Sequence, residues 1–243
     1  MDGFLHSPLL ARHGFRHAFA LRSGPVGAEA RESLEALRRR TAAALDCPPE
    51  RLYEVTQVHG AVIEKVRGEK SREALLARQA DALVSGEPNT ALGVRVADCL
   101  PLLLGDPVTG AVAAIHAGWR GVEAGVVRKA VEALLSSPEV RASNLLAAIF
   151  PHIRPCCFEV GDEVADRLQA VCPDTPVVKR SNGNEPHVEL ATIVRAQLAS
   201  AGVKRQRVDD VTGCTRCDPD RFFSYRRQGE LAGRHLAAIA VSP

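Results

Sequence analysis

The segment ADCLPLLLGDPVTGAVAAIHAGWRG, Ala97 to Gly121, puts a cysteine, Cys99, and a histidine, His116, at equivalent ends of two apolar runs joined by a turn. The chain's only tryptophan, Trp119, follows. A third residue, His59, stands beside Gly60 at another predicted strand end. A thiolate and two imidazoles suit Zn²⁺ or copper, and three protein ligands leave a position open to water or substrate, as catalytic zinc sites do. Without a metal, Cys99 is a nucleophile and His116 its base, which is the chemistry of a cysteine hydrolase. With neither, all three are buried residues of an apolar hairpin. They lie far apart in sequence, so spacing alone leaves the three readings open.

The other cysteines give weaker signals. CTRC, at Cys214 and Cys217, is a C-x-x-C pair. A structural zinc site needs a second pair at similar spacing, which the adjacent Cys156 and Cys157 do not supply, so CTRC reads as a turn. No thioredoxin-like unit surrounds it. Cys156 and Cys157 precede a predicted helix with Glu159, Asp162 and Glu163 in its first turn. Negative charge there disfavours thiolates, so the pair reads as packing or pocket wall. Asp98 adjoins Cys99, but strand alternation points it to the opposite face. The phosphate-binding, dinucleotide, nucleophile-elbow, H-E-x-x-H and zinc deaminase signatures are absent from the sequence.

These residues need elements to position them. Short apolar strands are predicted in FRHAFALRSG, on both sides of His59–Gly60, in DALVS, ALGVRVADC, LPLLLGD, AVAAIHA, NLLAAIF, RVDDVTG and HLAAIAV. ALGVRVADC and LPLLLGD read as one nearly continuous strand with an irregularity at Pro101. Helices are predicted in AEARESLEALRRRTAAALD, with Leu34, Leu37, Thr41 and Leu45 on one face, and in SREALLARQ, GVEAGVVRKAVEALLSS, EVGDEVADRLQAV and HVELATIVRAQLASAGV, the last starting at His187. The irregular alternation and a strand hairpin predict an α/β (α+β) fold, mixed β-sheets layered between helices, in a single compact domain over residues 1–243.

Composition narrows the function classes. Of 243 residues, 46% are hydrophobic and 25% charged, as in soluble globular proteins. The net charge of +2 gives no reason to expect nucleic acid or a membrane as partner. The RRR at Arg38–Arg40 and the KRQR at Lys204–Arg207 read as solvated helix ends or turns. Aromatics at 4% argue against a base-stacking surface. No apolar run reaches the ~20 residues that span a bilayer, and the N-terminus lacks a signal-peptide pattern, so a cytoplasmic protein with reduced thiols is expected.

Together QVHG, ADCLPLLL, HAGWRG, RPCCFEVGDEV and CTRCDPDRFFSYRRQG resemble the laccase-domain family, also named multicopper polyphenol oxidoreductase and later a purine nucleoside phosphorylase group, from about Arg16 to Val241. The resemblance implies that His59, Cys99 and His116 bind a metal, usually zinc, with copper as the alternative. It implies a zinc-dependent purine nucleoside enzyme acting by phosphorolysis of adenosine, inosine or methylthioadenosine, by adenosine deamination, or by both. Purine nucleoside and phosphate are then the small-molecule partners. Arg22, Arg120, Arg226 and Arg227 are candidates to hold phosphate, since arginine suits bidentate phosphate contacts. The runner-up is a copper-dependent polyphenol oxidase. The chain has no H-x-H pair, so it lacks the histidines of a blue multicopper centre. Further alternatives are a cysteine or zinc hydrolase of cell-wall precursors and a metal-binding protein with reduced activity. The sequence departs from the family pattern at Gly24–Ala30, at Phe150–Arg154 and at Ala232, which bears on substrate choice rather than on the ligands.

Overall fold

Apolar strands of this chain are buried on both faces, which requires a covering layer on each side. In Leu100–Gly105 the side chains of Leu102 and Leu104 enter one core and Leu103 enters another. The computed structural model describes residues 3–24, 32–67, 71–180 and 185–241, and among them two sheets pack face to face with helices outside both. This is the expected mixed α/β architecture.

The six-stranded sheet has the order Val208–Asp210, Leu146–Ile149, Leu100–Gly105, Val112–Ala117, Ala82–Ser85, Ile63–Lys65. Its central strands are antiparallel, with Pro101 opposite His116, and its two outermost pairs are parallel. The five-stranded sheet has the order Phe4–Leu5, His17–Ala20, His235–Ala240, Ala91–Val96, Leu52–Tyr53. Phe19, Val94 and Ile239 from this sheet meet Leu103, Ala114 and Ala148 of the other in the core between them. Outside the six-stranded sheet lie the helices Val126–Leu135 and Leu190–Ser200, through Val127, Val131, Ile193 and Leu198. Outside the five-stranded sheet lies the helix Leu34–Ala44, with Leu37 and the following Leu45.

Several elements differ from the sequence reading. The long strand around Cys99 is two strands in different sheets, Ala91–Val96 and Leu100–Gly105, joined by a crossing at residues 97–99. Asp98, at φ 93°, turns the chain there. The helix predicted after His116 divides into Trp119–Glu123 and Val126–Leu135 at Gly125, whose φ of 77° suits glycine and interrupts a right-handed helix. Leu34 is exposed, and Arg38 takes a buried place instead, paired with Glu35 and bonded to the Pro49 carbonyl. His187 belongs to a two-stranded ribbon, His187–Val188 against Val178–Lys179. Glu159 lies before the helix Asp162–Val171 rather than in its first turn. Most of the Gly24–Ala30 departure falls outside the described residues.

Candidate metal centre and cavity

The crossing between the sheets delivers Cys99, the end of Val112–Ala117 delivers His116, and a turn at φ 59° delivers His59. Their ligand atoms all lie within 4.8 Å of one another. The two imidazole rings stand nearly edge to face, with centroids 4.8 Å apart. The structure therefore brings together the three residues that the sequence singled out.

Asp81, which the sequence reading missed, ties them in place. It is fully buried, immediately before the strand Ala82–Ser85. Its Oδ1 accepts from the His59 N–H at 2.9 Å and lies 2.8 Å from His116 Nδ1, while Oδ2 accepts from the Gly60 N–H at 2.6 Å. A carboxylate only accepts, so it holds a proton on His116 Nδ1 and makes Nε2 the nitrogen a metal would take, once that nitrogen gives up its own proton. Burial pushes the Asp81 carboxyl up, but His116 and the turn's N–H groups outweigh it and hold it low. A charged residue opening an apolar strand was the available signal.

The electrostatics pair Cys99 with the histidines. Burial pushes the Cys99 thiol up, yet His116 and His59 bring it down to about 6. Burial pushes His116 down, yet Asp81 and Cys99 raise it to about 9. The donors thus favour thiolate, which is the form a metal binds. Gly118 closes the other side: a Cβ there would lie 3.2 Å from both Cys99 Sγ and His59 Cδ2.

A cavity of about 730 Å³ opens over this cluster. Ile153, Phe158, Trp119 and Tyr225 supply apolar and aromatic surface, and Gln57 and Arg95 supply polar groups. Of the four candidate arginines, Arg120 and Arg226 line the cavity. The Arg120 guanidinium lies 4.4 Å from the Trp119 ring centroid, and Arg226 Nη1 reaches the Glu159 carbonyl at 2.9 Å. The other two are corrections, because neither side chain reaches the cavity. Arg227 donates to the carbonyls of Thr215, Arg216 and Phe222, and Arg22 lies over the Phe223 ring. Arg234 lines the cavity without having been singled out.

Asp98 borders the cavity, against the expectation from strand alternation, and its carboxylate is taken up by neighbouring segments. Its carboxylate accepts from Thr215 Oγ1 at 2.5 Å, Ser224 Oγ at 3.0 Å and the Arg226 N–H at 2.6 Å. It therefore joins the CTRC and SYRR segments to the sheet crossing. The other departures are absorbed locally. Phe150 stacks on Phe19 between the sheets, Arg154 pairs with Asp210, and Ala232 is buried.

CTRC is a turn, as expected, but the fold sets it beside the CC pair. Cys156, Cys157, Cys214 and Cys217 lie with their sulfurs all within 4.8 Å of one another. The pocket-wall reading of the CC pair also changes: Cys157 is buried beside the outer core, Cys156 is exposed, and neither lines the cavity.

Comparison with known proteins places these motifs. The family model described as multi-copper polyphenol oxidoreductase laccase matches residues 20–242. Purine nucleoside phosphorylase YlmD of Geobacillus stearothermophilus is 35% identical over 83% of this chain and 76% of its own length. The crystal structure of YlmD superposes with a TM-score of 0.86 at 29% identity, covering 99% of this chain and 97% of that one. Purine nucleoside phosphorylase YfiH of Escherichia coli is 36% identical over 86% of this chain and 81% of its own. Adenosine deaminase RL5, from an unknown prokaryotic organism, is 37% identical over 65% of this chain and 61% of its own.

Proposed function

The chain belongs to the multi-copper polyphenol oxidoreductase laccase family, and on that premise we propose that it is a purine nucleoside enzyme whose metal is held by His59, Cys99 and His116. The observation that carries the reading is the convergence of three donor atoms beneath the cavity, with His116 Nδ1 committed to Asp81. The donor set fits Zn²⁺: one soft thiolate and two imidazoles, with Asp81 holding a proton on His116 Nδ1 so that Nε2 is the nitrogen a metal would take. Bound there, Zn²⁺ would supply a Lewis acid and an activated water to the reacting carbon.

The chain's own residues do the rest. Trp119 and Phe158 offer flat apolar surface to a purine base. Arg120 and Arg226 offer cations to a phosphate beside the sugar, where phosphorolysis needs an anion held against the anomeric carbon. Asp98 is a positioning residue, because its two oxygens are occupied by Thr215, Ser224 and the Arg226 N–H.

A second reading has its own observation. Cys99 at about 6 and His116 at about 9 form a thiolate–imidazolium pair suited to nucleophilic attack. It ranks second because His59 has no necessary role in such a pair.

Product analysis separates the readings. Zinc-loaded protein is incubated with adenosine, inosine or methylthioadenosine, with and without phosphate, beside a copper-loaded sample with a phenol. Free base with the substrate's own sugar 1-phosphate (ribose-1-phosphate from adenosine or inosine, methylthioribose-1-phosphate from methylthioadenosine), or inosine from adenosine, is expected, and these products disappear on chelation. Full activity in protein shown to be metal-free supports the cysteine nucleophile instead. Oxygen uptake with copper and no nucleoside turnover overturns the proposal.

A further inference from the structure

The chain's other cysteine cluster lies outside the cavity and is used by nothing described so far. Cys156 and Cys157 come from the turn that follows Arg154, and Cys214 and Cys217 come from the segment after the strand Val208–Asp210. The two segments lie side by side. Cys214 forms a parallel bridge with His152, and the Thr215 N–H donates to the His152 carbonyl at 3.1 Å. This brings sulfurs from two distant pairs into one group.

We infer that Cys156, Cys157, Cys214 and Cys217 form a second, structural metal site, a mononuclear tetrathiolate for Zn²⁺. Tetrahedral Zn–S bonds of about 2.3 Å put the four sulfurs ~3.8 Å apart. Here Cys217 Sγ lies 3.3 Å from Cys157 Sγ and 3.5 Å from Cys156 Sγ, and no pair in the group exceeds 4.8 Å. These spacings bracket the tetrahedral value. The group is too tight for an iron–sulfur cluster, whose metals and sulfides hold the cysteines further apart. Cys217 is almost equally near both neighbours and all four thiols are free, so the arrangement selects no single disulfide pair.

The surroundings suit a charged tetrathiolate. The Arg227 guanidinium donates to the carbonyls of Thr215 and Arg216, inside the CTRC turn, at 2.9 Å each. Binding releases four protons, one from each thiol, and leaves the zinc with four thiolates and a net charge of −2, beside that cation. The exposed Cys156 and Cys217 give the ion an entry path. The site would staple residues 154–158 to residues 214–217. Those segments lead directly to Ile153 and Phe158 on one cavity wall and to Tyr225 and Arg226 on another. Its role is therefore to hold the walls in register, at a distance from the chemistry.

The test uses protein purified from zinc-supplemented cells under reducing conditions. In a His59→Ala/His116→Ala variant, elemental analysis should still find about one zinc per chain. Mass mapping should show Cys156, Cys157, Cys214 and Cys217 protected from alkylation until an organomercurial displaces the metal. Cobalt-grown variant should show the intense thiolate-to-cobalt charge transfer of a four-sulfur site. Cys214→Ser/Cys217→Ser should lose one equivalent. Should that variant fail to fold, the three readouts on the histidine variant decide alone. A histidine variant without zinc, or with the four thiols rapidly alkylated or found as disulfides, overturns the inference. The proposed purine chemistry can fail without touching this result, since the variant already lacks the first site.

Discussion

Asp81 Oδ1 lies 2.8 Å from His116 Nδ1, and the same carboxylate accepts the N–H groups of His59 and Gly60. One buried carboxylate thus sets the tautomer of one candidate ligand and the backbone turn of another. Asp81 is therefore positioned to control the proposed ligands without being one of them.

Replacing Asp81→Asn keeps the volume and one acceptor oxygen but removes the charge. Zinc affinity, read by competition with a chromophoric chelator, should fall roughly 10–100-fold. The melting temperature should fall less than for Asp81→Ala, which leaves the N–H groups of Val58, His59 and Gly60 without this acceptor, at a cost of about 1–3 kcal/mol for each one left unpaired. Unchanged affinity in Asp81→Asn would show that His116 is oriented by packing alone.

Gly121 tests the His59 turn from the other side. A Cβ at Gly121 would come 2.7 Å from the Gly60 carbonyl, which is backbone and has no rotamer to escape through. Gly121→Ala should therefore push the turn away from the helix Trp119–Glu123. We expect destabilisation of about 1–3 kcal/mol in denaturant unfolding. We also expect weaker zinc binding, because His59 moves with Gly60. Loss of stability with undiminished zinc affinity would separate the turn from the ligand.

Acid should weaken the fold through His235. Burial pushes this imidazole down to about 4, although the Ala20 carbonyl and the Phe223 N–H bond it. Its Nε2 accepts the Phe223 N–H at 2.8 Å, so the ring must stay neutral in the folded chain. Unfolded, it titrates near an ordinary value of about 6.5. Between those values the unfolded chain binds the extra proton. Its contribution is complete above pH ~6.5, declines as pH falls, and is gone below about 4. The integrated effect is on the order of 3 kcal/mol. His152, pushed to about 3 mainly by burial, adds to the same trend. Unfolding free energies across this range should drop toward acid, and His235→Gln should flatten part of the slope. A His235→Gln slope identical to the parent's assigns the acid sensitivity elsewhere.

Much of the site was legible because the chemistry chose unusual residues for strand ends. Cys99 and His116 flank a hairpin whose apolar runs fix their register, and His59 stands at a glycine turn. What one dimension hides is partnership across sheets. ALGVRVADC and LPLLLGD look continuous because both are buried on two faces, and only the turn at Asp98 sends them into different sheets. Asp81 opens an apolar strand, but its role could not be read off because its partner lies 35 positions on. The four-cysteine group was read as two unrelated pairs because Cys157 and Cys214 stand 57 positions apart, and the contact depends on the bridge between His152 and Cys214. Arg38 shows the opposite failure: a basic run suggests solvent, but Glu35 one turn earlier and the Pro49 carbonyl make burial possible.

Adjacent arginines give the last prediction. Arg226 and Arg227 are equivalent in sequence and opposite in use. The Arg226 main chain is bonded to Asp98, while its side chain lines the cavity and touches protein at the Glu159 carbonyl. The Arg227 guanidinium spans three backbone carbonyls in the CTRC and RFFS segments and stays out of the cavity. Arg226→Ala keeps the main-chain bond to Asp98, so the fold should change by less than about 1 kcal/mol. If Arg226 holds phosphate, the variant's KM for phosphate should rise roughly tenfold or more, the loss of one charge-assisted contact, with the KM for nucleoside little changed. Arg227→Ala should do the reverse. It leaves three carbonyls short of a charged donor and should cost about 2 kcal/mol or more of stability, with phosphate KM moved only as far as the wall loosens. Lysine at 226 should restore part of the phosphate affinity, because charge is kept while the planar fork is lost. If Arg226→Ala leaves phosphate KM untouched while Arg120→Ala raises it, the anion is held on the Trp119 side of the cavity instead.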